Sequence, residues 1–188
     1  MRPRAGVDID GVIYEWEANA RRLLAEHWGV DCEESTHHSY IREQLIARLG
    51  EETGRMADNW LFQSDAMNAG MWTGGEETPG AYAGLTRLSS THEIILVTKR
   101  PRVAIPDTYH WLVSSGIYPT ELIVIPESGR PKSAVACDWY VDDNPDVVEE
   151  LVNAGRRTFL FDRVWNQDCQ HGERVDGWDA LLGKVLKP

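Results

Sequence analysis

Apolar residues come in short runs along most of the chain, each run ending in turn residues and followed by a helical repeat. Residues 5–10 form the first run, an apolar strand that stops at Gly11. Trp16–Trp28 has a helical period, with Trp16, Ala20, Leu23, Leu24 and His27 on one face. A polar break covers residues 31–39, and residues 41–49 and 55–71 then read as two further helices before Gly74 and Gly75. Beyond the glycines the alternation is strict. Thr78 and Pro79 have the chemistry of an N-cap followed by a first-turn proline, opening a helix to about Ser89. Strands are expected at Glu93–Thr98, 122–125, Trp139–Asp142 and 158–161. Helices are expected within 103–115, from Asn144 to residue 154, and over Trp178–Val185.

Strands that alternate with helices form a mostly parallel sheet covered on both faces, because each helix carries the chain from the carboxyl edge back to the amino edge. The fold class is therefore α/β and Rossmann-like. Residues 15–75 break the alternation with helices alone. They read as a small helical cap inserted after the first strand, with residues 1–14 and 76–188 forming the core.

Composition narrows the partners. Of 188 residues, 19 are Lys or Arg and 30 are Asp or Glu, a formal charge of −11, which repels extended DNA or RNA. A small phosphorylated molecule is still compatible, since a bound cation and local basic groups outweigh distant charge. The three cysteines, Cys32, Cys137 and Cys169, lie far apart and form no Cys-x-x-Cys pair, so they read as reduced thiols of a cytoplasmic protein. The basic first residues lack the apolar stretch of a signal peptide, and no run reaches membrane-span length. A soluble protein with no membrane partner is expected.

Candidate chemistry gathers at strand ends, where open α/β sheets bind ligands. Asp8-Ile9-Asp10-Gly11-Val12 puts two carboxylates on the same side of a strand end, where they repel unless a cation or a proton intervenes. Val141-Asp142-Asp143-Asn144-Pro145 repeats the arrangement. An acidic helix N-terminus would explain the second segment alone, and solvated turn acids the first. Together they make an oxygen-only site suited to Mg²⁺. An EF-hand is excluded, because its glycine belongs two residues after Gly11 and no acidic twelfth ligand follows. Thr98 ends a strand before Lys99-Arg100-Pro101, and its hydroxyl with the turn amides can hold phosphate oxygens. Lys132, in Gly129-Arg130-Pro131-Lys132-Ser133, can neutralise phosphate charge and keep a carboxylate ionised.

The ordered set Asp8/Asp10, Thr98, Lys132 and Asp142/Asp143 resembles the four motifs of the haloacid-dehalogenase (HAD) superfamily. Within it the chain is similar to the 5′(3′)-deoxyribonucleotidase family. That similarity rests on the helical insert after the first motif, on Thr78-Pro79-Gly80-Ala81, and on two C-terminal segments. These are Phe161-Asp162-Arg163-Val164-Trp165-Asn166 and Arg174-Val175-Asp176-Gly177-Trp178. The resemblance implies a Mg²⁺-dependent phosphomonoesterase with Asp8 as nucleophile and Asp10 as general acid and base. Thr98, the Lys99 amide and Lys132 would hold the phosphoryl oxygens. Mg²⁺ would sit on Asp8, the Asp10 main-chain carbonyl and Asp143, with Asp142 a direct ligand or one step removed. The implied substrate is a nucleoside monophosphate; a sugar phosphate or another small phosphomonoester is the alternative.

Five aromatic residues of the insert bear on that choice: Trp16, Trp28, Trp60, Phe62 and Trp72. Trp16 and Trp28 are assigned to packing on an amphipathic helix, and Trp60 and Trp72 to substrate contact. His37-His38 near Cys32, and Cys169 near His171, lack complete ligand sets and read as surface loops. Two other classes use related residues. A receiver-type phospho-acceptor places its acidic pair first, whereas here the pair comes last. A silent phosphate-binding protein has no need of Asp10.

Overall fold

A computed structural model describes residues 2–37, 40–125 and 130–186. His38 and Gly129, named among the motifs above, lie outside them. The apolar runs form a parallel sheet with the strand order β3-β2-β1-β4-β5-β6. Its strands are β1 (Arg4–Val7), β2 (Glu93–Thr98), β3 (Glu121–Val124), β4 (Trp139–Asp142), β5 (Arg157–Phe161) and β6 (Glu173–Val175). Strand order reverses beside β1, the position at which a crevice opens along the carboxyl edge of such a sheet. Register sets what reaches that crevice. Val7 pairs with Val141, so the residues that follow them, Asp8 and Asp142, leave adjacent strands at one level.

Side chains alternate across the sheet. Ala5, Val7, Ile94, Leu96, Trp139 and Val141 share one buried cluster with Leu85, Leu88, Trp178 and Leu181. The last four come from α5 (Ala81–Ser89) and α8 (Trp178–Val185), which cover that face. Ile95, Val97 and Tyr140 point the other way, against Val147 and Leu151 of α7 (Pro145–Asn153). Helix α6 (Ile105–Ser114) joins the first cluster through Trp111 and Leu112.

Between β1 and α5 the chain builds α1 (Trp16–Trp28), α2 (Tyr40–Leu49), α3 (Glu51–Trp60) and α4 (Ser64–Asn68). They bury a cluster of their own that includes Ala20, Leu23, Leu24, Leu45, Ala57, Leu61, Met71 and Trp72. The helix expected over 55–71 is instead α3 and α4. The run breaks at Gln63, whose backbone is extended (φ −102°, ψ 169°), two residues after the fully buried Leu61 that closes α3. Gly54 lies against the Ile46 backbone, where an added Cβ would stand 2.6 Å from the Ile46 Cα, and this lets α3 cross α2 closely.

Two further expectations are corrected. Thr78 does not cap α5, which starts after Gly80 with no side-chain cap; the Thr78 hydroxyl accepts from Arg163 Nη2 at 3.0 Å. Strand β6 was not expected, because three residues with two exposed carry too little pattern to be read. Among the described residues no helix is long and apolar enough to cross a membrane, and the three cysteines are free.

One phenol ties the helical insert to the sheet. Tyr14 Oη donates to the Met71 carbonyl at 2.7 Å and accepts from Asn19 Nδ2 at 3.0 Å and the Gly75 amide at 2.8 Å. Burial pushes its pKa up to about 12, so it stays a neutral donor. Tyr14→Phe removes all three bonds, although Asn19 still donates to the Met71 carbonyl, and is expected to lower stability by about 1–3 kcal/mol. In thermal melts that is a fall of roughly 2–12 °C for a chain of this size; an unchanged melt would mean that the phenol ties nothing together.

Candidate active site

Asp8 directly follows β1, and its amide continues the ladder by donating to the Val141 carbonyl at 3.0 Å. Asp142 ends β4, and Asp143 begins the turn into α7. That turn is shaped by Asn144, whose side chain accepts from the Asp146 and Val147 amides and whose own amide donates to Asp142 Oδ1 at 3.1 Å. The three carboxylates are buried and offer oxygens that lie within 4.8 Å of one another.

Lys132 enters this group from a short turn. Glu150 on α7 holds that turn by accepting from the Lys132 and Ser133 amides, both at 3.1 Å. The ammonium donates to Asp8 Oδ1 at 2.6 Å and Asp142 Oδ2 at 2.7 Å. Burial alone would lower its pKa, but Asp142 and Asp8 outweigh burial and raise it, so the cation persists. Burial pushes the Asp8 carboxyl up to about 7; Lys132 opposes the shift, and Asp142 and Asp10 add to it. Asp143 is raised well above the carboxylate range by burial, then by Asp142 and Asp8, while the Trp165 indole opposes the shift.

The far side of Asp143 is built by the segment after β5. Trp165 Nε1 donates to Asp143 Oδ2 at 2.9 Å, and Asn166 Nδ2 donates to the Asp143 carbonyl at 2.8 Å. Arg163 donates from Nε to the Gly11 carbonyl at 2.7 Å and from Nη2 to Glu15 at 2.7 Å. Gly11 has φ +79°, and a Cβ there would stand 2.3 Å from Asp143 Oδ2, so glycine is required twice over. The Trp178 indole donates to the Val12 carbonyl at 3.0 Å and fixes the same loop from behind.

Asp10 stands apart from the three carboxylates. Its side chain is gripped by Arg100, whose Nε donates to both oxygens at 3.1 and 3.0 Å and whose Nη2 donates to Oδ1 at 2.7 Å. Thr98, also buried, accepts from the Arg100 amide at 3.1 Å. Arg100 belongs to the basic turn legible in the sequence, but nothing there showed that it would reach Asp10.

These groups line a cavity of about 320 Å³ whose other wall is the helical insert. Asp8, Asp10, Thr98, Lys99, Lys132, Asp142 and Asp143 all face it. Trp72 borders it with almost no exposed surface, and Trp16 and Phe62 also line it, their rings stacked 6.1 Å apart. Trp16 was assigned to packing, and helical period alone could not show that the end of α1 opens on the cavity. Trp60 does not line it: its ring packs on His27 and Trp28, at 5.1 and 6.4 Å, on the far side of the insert's core. His37 lines the cavity and contacts Glu43 at 2.9 Å, while His171 lies near Glu149.

Three buried carboxylates sharing one ammonium hold excess negative charge, which is costly in a low-dielectric setting and is relieved by a cation. All the candidate donors are hard oxygens, suited to a divalent ion such as Mg²⁺ rather than a soft metal. Among the described residues this is the grouping of acids, histidines and cysteines able to hold a metal.

Comparison with known proteins follows the same line. Residues 2–186 match the family described as "5′ nucleotidase, deoxy (Pyrimidine), cytosolic type C protein". A Chlorobaculum tepidum protein named "Putative 5′(3′)-deoxyribonucleotidase" is 26% identical over 197 residues, covering 96% of this chain and 88% of that one. Among solved structures, a haloacid dehalogenase-like hydrolase from Streptococcus pneumoniae superposes with a TM-score of 0.70 at 10% identity, covering 97% of this chain and 98% of that one. A Bacillus subtilis structure titled as a "putative HAD-hydrolase" bound to magnesium superposes with a TM-score of 0.62 at 15% identity over the full length of both chains.

The crowding of carboxylates has a sign that can be measured. Asp143→Asn keeps an acceptor for the Trp165 indole and removes a repelling charge, so it is expected to raise the melting temperature in EDTA. Millimolar MgCl₂ should stabilise the native chain, by about 2.7 kcal/mol at 100 times the dissociation constant, and should leave Asp143→Asn nearly unmoved. A variant that melts lower in EDTA and still responds to Mg²⁺ would contradict both the crowding and the ligand assignment.

Proposed function

The chain belongs to the 5′ nucleotidase, deoxy (pyrimidine), cytosolic type C family, and from that premise we propose a Mg²⁺-dependent nucleoside monophosphatase that acts through an aspartyl-phosphate on Asp8. As a member of that family on a HAD-like fold, the chain is a phosphatase of the nucleotidase class. The observation that carries the finer reading is the contact of Asp8 with Lys132, 2.6 Å, at the floor of a cavity walled by aromatic rings.

Lys132 opposes the burial that raises Asp8 to about 7 and occupies Oδ1, so the ionised carboxylate keeps its second oxygen for attack. Asp8 attacks phosphorus in line with the ester oxygen; the bond from phosphorus to that oxygen breaks, and Asp10 protonates the departing alkoxide. Asp10 then accepts a proton from the water that cleaves the aspartyl-phosphate, returning Asp8 and releasing phosphate. Thr98, the Lys99 amide and Lys132 bind the phosphoryl oxygens and fix the line of attack. Asp8, Asp143 and the Asp10 carbonyl would hold Mg²⁺, with Asp142 beside them. When bound, the ion supplies the positive charge that lets an anionic nucleophile approach an anionic phosphate.

The cavity volume suits a small molecule, and Trp16 and Phe62 offer aromatic surface to a nucleobase, with the buried Trp72 behind Phe62. Residues 15–75 thus act as the cap that chooses the leaving group.

Asp8→Asn should keep the fold and lower turnover of nitrophenyl phosphate by at least about 10³-fold; a variant with near-native turnover would rule out Asp8 as nucleophile. Phe62→Ala should raise KM for nucleoside monophosphates about tenfold, as expected for the loss of one stacking contact of about 1–3 kcal/mol. A panel of nucleoside monophosphates against sugar phosphates tests the leaving group separately. Sugar phosphates turned over equally well would refute the nucleotide assignment and leave the chemistry of Asp8 standing.

A further inference from the structure

Arg100 is a buried charged group of the site to which the mechanism above gives no task. It is only 3% exposed and is constrained on every side. Nη1 donates to Thr108 Oγ1 at 3.0 Å, and Thr108 is itself fixed by donating to the Ala104 carbonyl. The guanidinium lies 4.6 Å from the Tyr14 ring centroid and 5.0 Å from that of Trp72, so aromatic groups from the core loop and from the helical insert both bear on it. The remaining edge of the guanidinium forms the fork on Asp10.

That fork is unequal. Oδ1 receives Nη2 at 2.7 Å and Nε at 3.1 Å, whereas Oδ2 receives Nε alone at 3.0 Å. A carboxylate held by a planar guanidinium in this way cannot rotate without breaking charge-assisted bonds. The Asp10 side chain nevertheless keeps 26% of its surface open, and it lines the cavity. A group that only joined the insert to the core would do so more cheaply as an apolar side chain, since burying a guanidinium carries a large desolvation cost.

We propose that Arg100 is a positioning residue that aims Asp10 at the leaving-group oxygen, engaging Oδ1 with two bonds and leaving Oδ2 to transfer the proton. This rests on the reading of Asp10 as the proton donor. In that step the O–H bond at Oδ2 breaks while the bond from phosphorus to the ester oxygen opens. The proton joins the electron pair left on that oxygen, and a neutral alcohol departs. Misaimed, Asp10 would fail most for leaving groups that need the proton and least for those stable as anions.

The test compares kcat/KM across phosphomonoesters whose leaving groups run from nitrophenol to a simple alkyl alcohol. This parameter covers steps up to the first bond cleavage and is blind to later hydrolysis of the phosphoenzyme. Arg100→Lys keeps the charge and loses the fork. It should lose about tenfold or more on the alkyl ester beyond its loss on the nitrophenyl ester, within the range of about 10²–10⁴ that general acids supply. Equal losses on both esters, or none, would overturn the proposal in favour of a packing or phosphate-binding role. Should Arg100→Lys not fold, Thr108→Val removes the hydroxyl that braces Nη1 and should show a smaller split in the same direction; a uniform loss again overturns it. Asp10→Asn separates the two readings. No leaving-group split in that variant would remove Asp10 as proton donor and the inference with it, whereas a split there without one in Arg100→Lys would remove Arg100 alone.

Discussion

One buried ammonium between two carboxylates organises the site. Lys132 reaches Asp8 and Asp142 at 2.6 and 2.7 Å, and without it the sheet's carboxyl edge would crowd three acids in a low-dielectric setting with no protein cation among them. Much of the surrounding structure serves that contact. The register of β1 on β4 levels Asp8 with Asp142, α7 supplies Glu150 to pin the lysine turn, and Asn144 starts α7 while its amide holds Asp142. Stability and chemistry share these groups. The charge arrangement that is costly for the bare protein is the one that favours a divalent cation and an anionic nucleophile.

A second charged pair joins the helical insert to the reaction centre. Arg100 touches Asp10, Tyr14, Thr108 and Trp72, and Tyr14 in turn binds Met71, Asn19 and Gly75. The insert has its own apolar core, so it does not depend on the sheet for burial. What it shares with the core includes this chain of polar and aromatic contacts beside the cavity, in which Tyr14 belongs to the sheet's cluster and Met71 and Trp72 to the insert's. Substrate selection and proton transfer are thus mechanically adjacent.

Much of this was legible before any coordinates. The β2 run and the acids at the ends of β1 and β4 follow from period and punctuation, and their order along the chain carried the family resemblance that the family match supports. What escaped reading was whatever depends on long-range geometry. The Arg100–Asp10 pair spans 90 residues, and that of Arg163 with Gly11 spans 152. Trp16 was assigned to packing and Trp60 to substrate contact, and only the packing of the insert shows that Trp16 borders the cavity and Trp60 does not. The break between α3 and α4 falls at the extended Gln63, and no Gly or Pro stands there to mark it in the sequence.

The most direct test of Asp8 as a covalent nucleophile is to look for the phosphoryl group itself. Turnover of a phosphomonoester with Mg²⁺ would be quenched in acid within the first turnovers and the digested peptides weighed by mass spectrometry. A phosphoryl adduct on the peptide carrying Asp8, removed by hydroxylamine and absent from Asp8→Asn, is the expected result. Full catalytic turnover with that peptide unmodified at every quench time, and phosphate formed by direct attack of water, would contradict it.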